Sequence, residues 1–254
     1  MIAAAAVGQL RDRGLDTGYA AGWRVVRALP EPAARTAFSW AADTATRRNR
    51  RGVRQLRRNL RRVVGPTVPE AELDRLVAAG MRSYARYWRE TFRLPGMDRR
   101  HVLSRIATSG AEHLDAAMSA GRGVIVALPH SGNWDVAGLW VIDRGYSLMT
   151  VAERLRPESL FNRFVAYRES LGFEIVASSG GERSPTDTLV ERLRAGGCVC
   201  LLADRDLARN GVEVKFFGEP ARLPAGPALL AARTGAALLP IHLQFTSDSS
   251  NGDG

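Results

Sequence analysis

The sequence GVIVALPHSGNWD, residues 123–135, places an apolar run directly before a histidine, a glycine and a carboxylate. Residues 123–128 have the length and the valine and isoleucine content of a buried strand. Residues 133–145, NWDVAGLWVIDRG, follow with the apolar spacing of a helix. We therefore predict a strand–turn–helix unit that holds His130 in the turn and Asp135 in the first turn of the helix.

The alternation of short apolar runs and helical patterns continues to residue 243. The apolar runs are GVIVAL (123–128), SLMTVA (147–152), FEIVA (173–177), CVCLLA (198–203), VEVKFF (212–217) and ALLPIHL (237–243), and most are separated by helical patterns at 133–145, 157–172, 184–197 and 224–235. Strands that are buried on both faces and joined by crossover helices form parallel sheets. We predict an α/β fold with a largely parallel central sheet flanked by helices. His130 then lies just beyond the carboxyl end of a strand, where such sheets bind their ligands.

The residues before this pattern differ from it, because the first 109 have helical patterns and no convincing alternating strand. We therefore predict three segments that together form one structural domain. These are an N-terminal helical, membrane-associating region over residues 1–109, an α/β core over 110–243 and a polar, glycine-rich tail over 244–254.

The charge of the chain is strongly positive, with 36 lysine and arginine residues against 26 acidic ones and a formal net charge of +10. Residues 47–62 contain nine arginines and no acidic residue, with a thin apolar stripe of Val53, Leu56 and Leu60. This segment fits either a solvated helix face or a surface that contacts anionic lipid head groups. The charge favours phosphate-bearing partners, among them membranes, nucleic acids and coenzyme A, without choosing between them.

Cys198 and Cys200 are one residue apart in an apolar run, so a strand would point both to the same face. We interpret them as a buried, reduced pair rather than a metal or redox site, because no second Cys/His cluster accompanies them. No stretch approaches about 18 uninterrupted apolar residues, and the N-terminus lacks the basic region of a signal peptide. We therefore expect a cytoplasmic location.

The spacing of His130 and Asp135 suits a general base. A carboxylate in a first helical turn is favoured by the helix dipole, and it can fold back to hold one imidazole nitrogen. The other nitrogen is then free to take a proton from a hydroxyl, although the pair by itself also fits a structural histidine. Ser131 adjoins the histidine, but chain neighbours rarely present nucleophile and base to each other correctly, and no G-x-S-x-G turn is present.

Three blocks of sequence together carry a family resemblance. They are PHSGNWD, which contains an HX4D motif, AERLRPESLFNRFVAYRESLGFEIV (152–176) and LLADRDLARNGVEVKFFGEPARLPAGPALLAARTGAALLPIHL (201–243). The combination resembles the lysophospholipid acyltransferase superfamily. Within it, the chain is most similar to the branch that holds the lipid A late acyltransferases and the actinobacterial phosphatidylinositol mannoside acyltransferases, and above all to the latter.

The resemblance implies transfer of a fatty acyl chain from acyl-CoA, as substrate, to a mannose hydroxyl of a phosphatidylinositol mannoside, without a cofactor or a metal. It implies a peripheral location at the cytoplasmic face of the plasma membrane. His130 would be the base, Asp135 would orient it, and Asp204 would be an acidic residue near it, where relatives usually carry glutamate. The implied catalytic residues are thus His130, Asp135 and Asp204, and the implied substrate-binding residues are Glu153, Arg168 and Arg233.

Two alternatives stay open at this point. One is a lipid A-type late acyltransferase that uses acyl carrier protein or another lipid acceptor. The other is a basic module that binds membranes or nucleic acid without catalysis, although no recognised nucleic-acid motif is present and no such partner is expected. We also predict a loop shaped by Gly218 and Pro220, followed by a helix that opens at 224–227 and either binds a phosphate or only starts there.

Overall fold

The computed structural model describes residues 18–181, 183–206 and 209–246. The start of the predicted helical region and most of the predicted polar tail lie outside the described residues. In chain order the elements are α1 (18–28), α2 (Glu31–Arg47), α3 (Arg51–Val64), α4 (Glu70–Arg93), a 3-10 turn (Leu94–Gly96), α5 (Arg99–Leu103), α6 (Ala111–Ser119), β1 (Val124–Leu128), α7 (Trp134–Asp143), β2 (Leu148–Ala152), α8 (Glu158–Ser170), β3 (Phe173–Ala177), α9 (Pro185–Arg194), β4 (Cys198–Leu202), β5 (Val212–Phe216), β6 (Glu219–Leu223), α10 (Gly226–Thr234) and β7 (Ala237–Pro240).

A parallel sheet with the strand order β3-β2-β4-β1-β7 forms the centre of the described chain, which confirms the predicted α/β fold. The central strand β1 lies between β4 and β7, and Leu128 at its end is paired with Leu202 at the end of β4. Because the two strands are parallel and end side by side, the residues that follow them leave the sheet at the same edge. We call this edge, where all the strands end, the carboxyl edge.

Helices cover both faces of the sheet. On one face, Trp23 of α1 and Leu94 share a core with Val124, Val126 and strand and helix residues further along the chain. On the other face, α9 and α10 contribute Leu189, Leu193 and Leu230 to a second core, against Ile125 and Val199 of the sheet. The N-terminal helices therefore pack directly onto the α/β part of the chain.

Both cysteines belong to the first of these cores, as the alternation of side chains along β4 predicts. Cys198 is buried and Cys200 is half-buried, and neither is in a disulfide. Burial raises the pKa of each thiol to about 12, so both remain protonated at neutral pH.

The segment 212–217 is a strand, but it does not join the parallel sheet. It pairs antiparallel with β6. Gly218 lies in the turn between the two strands, as predicted, but the prediction was wrong for Pro220, which lies within β6. Only nine residues separate β4 from β5, too few for the helical crossover that a parallel neighbour requires. Phe217 and Gly218 both have positive φ, 48° and 83°, as a two-residue hairpin turn requires.

The N-terminal helices begin and end where the sequence indicates. Pro30 precedes α2, and Pro69 precedes α4, whose first turn contains Glu70 and Glu72. The arginine-rich segment forms α3, which buries Val53 and exposes most of its arginines. None of the helices in the described residues is both long and apolar enough to cross a bilayer.

Candidate active site

His130 meets Asp204 at the carboxyl edge, with 2.7 Å between Nδ1 of the imidazole and Oδ1 of the carboxylate. The two residues follow the paired ends of β1 and β4, and each lies two positions beyond its strand. Partial burial raises the pKa of Asp204, but the hydrogen bond and the electrostatic interaction with His130 outweigh it and lower the pKa below its ordinary value of 3.8. Asp204 is therefore a carboxylate at neutral pH.

Asp135 does not hold His130, which corrects the geometry expected from the HX4D spacing. Its side chain is completely buried and accepts hydrogen bonds from Nε of Arg168 at 3.0 Å, the Tyr87 hydroxyl at 3.3 Å and the Thr91 hydroxyl at 3.4 Å. The physical reason is the direction of α7: as its second residue, Asp135 faces α4 and α8, while the histidine precedes the helix in the turn. The carboxylate ties three helices together at their common contact.

The carboxylate of Asp135 shifts the pKa values of the titratable side chains around it. Burial opposes the charge of Arg168, but the carboxylate of Asp135 raises the pKa of this guanidinium above its ordinary value. Burial and the same carboxylate also raise the pKa of Tyr87 and of Tyr167, so both phenols stay neutral. A buried carboxylate with one arginine and two neutral phenols forms a charge-balanced group.

The turn that holds His130 is fixed on both sides. The Ser131 hydroxyl donates to the Leu243 carbonyl at 2.8 Å, so its hydrogen bond goes away from the imidazole. Gly132 has φ +55°, and a Cβ there would lie 2.9 Å from Cβ of Leu243, which only glycine avoids. Asn133 caps α7 by accepting from the Val136 amide at 3.2 Å. The prediction that Ser131 is a turn residue agrees with these contacts.

Residues of α4 also contact the turn and the start of α7. The sequence analysis did not identify these residues. Glu90 accepts a hydrogen bond from the Asn133 side chain at 2.9 Å, and Tyr87 stacks on Trp134 with ring centroids 4.0 Å apart. Trp134 in turn places its ring edge-to-face with the imidazole of His130, at 5.2 Å. The sequence does contain a signal for these contacts. Tyr84, Tyr87 and Trp88 form an aromatic stripe along α4, which indicates a helix face that packs against the core.

Comparison with known proteins identifies the family. Residues 11–252 match the model of the bacterial lipid A biosynthesis acyltransferases. The chain belongs to that acyltransferase family. It is 56% identical over 232 residues to a phosphatidylinositol mannoside acyltransferase of Mycobacterium tuberculosis, a match that covers 91% of this chain and 72% of the relative. It is 55% identical over 234 residues to a protein of the same description from Mycolicibacterium smegmatis, covering 92% and 76%.

The three predicted substrate-binding residues lie in different parts of the structure. Glu153 directly follows β2, so it lies exposed at the carboxyl edge. Arg168 is bonded to Asp135, and its side chain is only 18% exposed. Arg233 is on α10, where it pairs with Asp187 of α9 at 3.5 Å, and these helices cover the sheet face opposite to Trp134. The structure thus brings His130 and Asp204 together, whereas the ion pair of Arg233 is with Asp187.

A cavity of about 630 Å³ opens beside the turn of the acyltransferase. It is lined by Ser131 and Gly132, by residues 242–246 and by several arginines. The arginines are Arg35, Arg82, Arg86 and Arg89. Arg82 pairs with Asp43, Arg86 with Glu90 and Arg89 with Glu31, so ion pairs line this cavity.

Proposed function

We propose that this protein transfers a fatty acyl chain from acyl-CoA to a mannose hydroxyl of a phosphatidylinositol mannoside, with His130 as the general base. The contact between His130 and Asp204 at the carboxyl edge carries the proposal. The named substrate of relatives that are 55–56% identical over more than nine-tenths of this chain supports the choice of acceptor.

The chemistry follows from the protonation of the pair. An ionised carboxylate only accepts hydrogen bonds, so the Asp204 contact requires the proton of His130 to be on Nδ1. Nε2 then carries the lone pair and takes the proton of the acceptor hydroxyl as its oxygen attacks the thioester carbonyl. The C–S bond breaks, and the imidazolium returns the proton to the leaving thiolate, which gives an ester and a free thiol. Asp204 stabilises the intermediate imidazolium.

No cofactor and no metal enters this scheme, because the thioester is already an activated acyl donor. We further propose that Asp135 acts as a positioning residue that holds α7, and thereby the turn before it, against α4 and α8. Its contacts with Arg168, Tyr87 and Thr91 support this role.

Substrate contacts are proposed for Glu153 and Arg168. The exposed position of Glu153 at the carboxyl edge fits a hydrogen bond to the acceptor sugar. The accessible part of the Arg168 side chain fits a contact with either substrate. For Arg233, a coenzyme A contact stays a prediction that its pairing with Asp187 does not favour.

We also propose a peripheral location at the cytoplasmic face of the plasma membrane. The exposed arginines of α3 support it, since a basic helix surface is attracted to anionic head groups.

A donor and acceptor panel tests the proposed function. The protein is incubated with radiolabelled palmitoyl-CoA or palmitoyl-acyl carrier protein, together with mannosylated phosphoinositides or unrelated lipid acceptors, and the labelled product is identified. We expect label on a mannose of the phosphoinositide with the CoA donor. Transfer from acyl carrier protein alone, or to a different lipid alone, would replace the proposal with a lipid A-type activity.

Replacing Asp204 by asparagine is expected to reduce the rate of acyl transfer by about 10²- to 10⁴-fold, because the amide does not supply the charge that stabilises the imidazolium. Initial rates measured between pH 5 and 9 would show the loss at every pH. Asp204→Glu is the control, since it keeps the charge and should retain more activity than Asp204→Asn. Equal rates for Asp204→Asn and the unmodified protein would contradict the assigned role.

A further inference from the structure

Two exposed apolar pairs lie on neighbouring parts of the surface. Phe216 and Phe217 at the tip of the β5–β6 hairpin are each 53% exposed, with ring centroids 4.5 Å apart. Val63 and Val64 at the end of α3 are 48% and 39% exposed. Large apolar side chains that are grouped at a surface, rather than scattered, mark an interaction site.

An ion pair joins the two. Nε of Arg62 lies 2.5 Å from Oε2 of Glu219, so the residue directly before Val63 contacts the first residue after the hairpin turn. The chain distance from this contact to each apolar pair is only one to three residues. Val63, Val64, Phe216 and Phe217 are therefore exposed on adjoining elements, and we call these four residues the apolar patch.

The hairpin that carries Phe216 and Phe217 begins at the candidate active site. It starts a few residues after Asp204, and the amide of Gly211, directly before β5, donates to Asp206 at 2.9 Å. This bond anchors the base of the hairpin at the carboxyl edge.

The surroundings of the apolar patch are cationic. Helix α3 contains six arginines and no acidic residue, and Lys215 directly precedes the two phenylalanines. Arg57 and Arg61 pair with Glu70 of α4, while Arg51, Arg54 and Arg58 are exposed. An apolar centre with a basic rim is complementary to a bilayer with anionic head groups, where aromatic rings occupy the interface and arginines contact phosphates.

We propose that the apolar patch inserts into the head-group region of an anionic lipid bilayer, with the α3 arginines on the lipid phosphates, and so turns the carboxyl edge toward the membrane. This inference rests on the proposed function, since it requires an acceptor that resides in a bilayer. It adds the hairpin, which the arginine-rich sequence alone did not indicate. A basic helix by itself would hold the protein at the surface without fixing which edge faces the lipid.

The opposite edge provides a matched control position. Arg99 pairs with Asp143 at 3.4 Å, and Asp143 ends α7, which runs away from the carboxyl edge. Met97, two residues before Arg99, is 39% exposed. It is thus an exposed apolar residue on the side that would face away from the bilayer.

The first experiment measures partition onto vesicles of phosphatidylglycerol and phosphatidylcholine by flotation. The double variant Phe216→Ser/Phe217→Ser is expected to lose roughly tenfold or more in partition coefficient, because two aromatic side chains no longer leave water. Its thermal unfolding midpoint should match that of the unmodified protein, since both rings are exposed. Met97→Ser is expected to partition like the unmodified protein.

The second experiment reports insertion directly. Phe217→Cys and Met97→Cys are labelled with an environment-sensitive fluorophore, and the native thiols do not compete because burial raises the pKa of both to about 12. Vesicles should shift the emission to the blue at position 217 and leave it unchanged at 97. Unchanged partition of the double variant, or equal emission shifts at the two positions, would overturn the docking surface. Failure of the unmodified protein to acylate detergent-dispersed acceptor would instead reject the proposed function, whatever the vesicles show.

Discussion

His130→Ala is expected to abolish acyl transfer and leave the protein folded. A positioned general base contributes about 10²- to 10⁴-fold to the rate, and alanine offers no group that takes the hydroxyl proton. The fold should survive, because the imidazole is 30% exposed at the edge of the sheet and contributes little to the core. Transfer from labelled acyl-CoA gives the rate, and circular dichroism with thermal unfolding checks the fold.

Ser131→Ala is the matched control for that experiment. It lies next to His130 but directs its hydroxyl to the Leu243 carbonyl, so its removal should leave most of the transfer rate. Loss of activity in Ser131→Ala, combined with a trapped acyl-enzyme on the unmodified protein, would indicate a serine nucleophile. Retained transfer in His130→Ala would remove the histidine from the mechanism altogether.

Arg168→Met is expected to have the largest effect on stability. It leaves the carboxylate of Asp135 buried with no opposite charge, and breaking a buried ion pair on one side typically costs about 3–5 kcal/mol. The free energy of unfolding is measured by urea titration of the unmodified and variant proteins at neutral pH. The tyrosine and threonine hydroxyls that also face Asp135 are too weak to replace a guanidinium charge.

Two further variants distinguish the loss of this buried ion pair from the general effect of removing an arginine. Arg233→Met breaks an ion pair in which Arg233 is 52% exposed, and such pairs are worth about 0–1 kcal/mol. The double variant Asp135→Asn/Arg168→Met removes both buried charges and should recover part of the stability lost by Arg168→Met. If Arg168→Met and Arg233→Met unfold at the same urea concentration, the buried pair is not the support that its geometry indicates.

The sequence predicted most of the sheet because its strands are short, apolar and separated by helical spacing. This local pattern also put His130 at the end of a strand, which is where it lies. The local pattern did not identify the partner of the histidine, which only the family resemblance placed near it. Asp204 is 74 residues away, and only the pairing of Leu128 with Leu202 brings the two side chains together. The pairing of two strands depends on packing across the sheet, so no local spacing in the sequence predicts it.

The HX4D spacing misled for a related reason. Four intervening residues allow a contact if the chain folds back, but the orientation of a side chain on a helix depends on where the helix begins. With α7 starting at Trp134, its second residue faces inward. The partners Tyr87, Thr91 and Arg168 on two other helices then decide its environment.

The sequence predicted a strand over residues 212–217 but missed its partner β6, because the hairpin has no buried face of the kind that identifies a core strand. In β5 the side chains are largely exposed, and Pro220 in β6 argued against a strand at all. A two-stranded edge unit tolerates proline where a central strand does not.

The alignment of β1 with β4 makes the separation of His130 from Asp204 a property of the sheet interior. A change of side-chain volume at Val126 or Cys200, which face each other across these strands, would shift one strand end relative to the other. Variants in this apolar layer should therefore slow the reaction without touching a polar group. We therefore expect the middle of the sheet, as well as its edge, to affect the rate of acyl transfer.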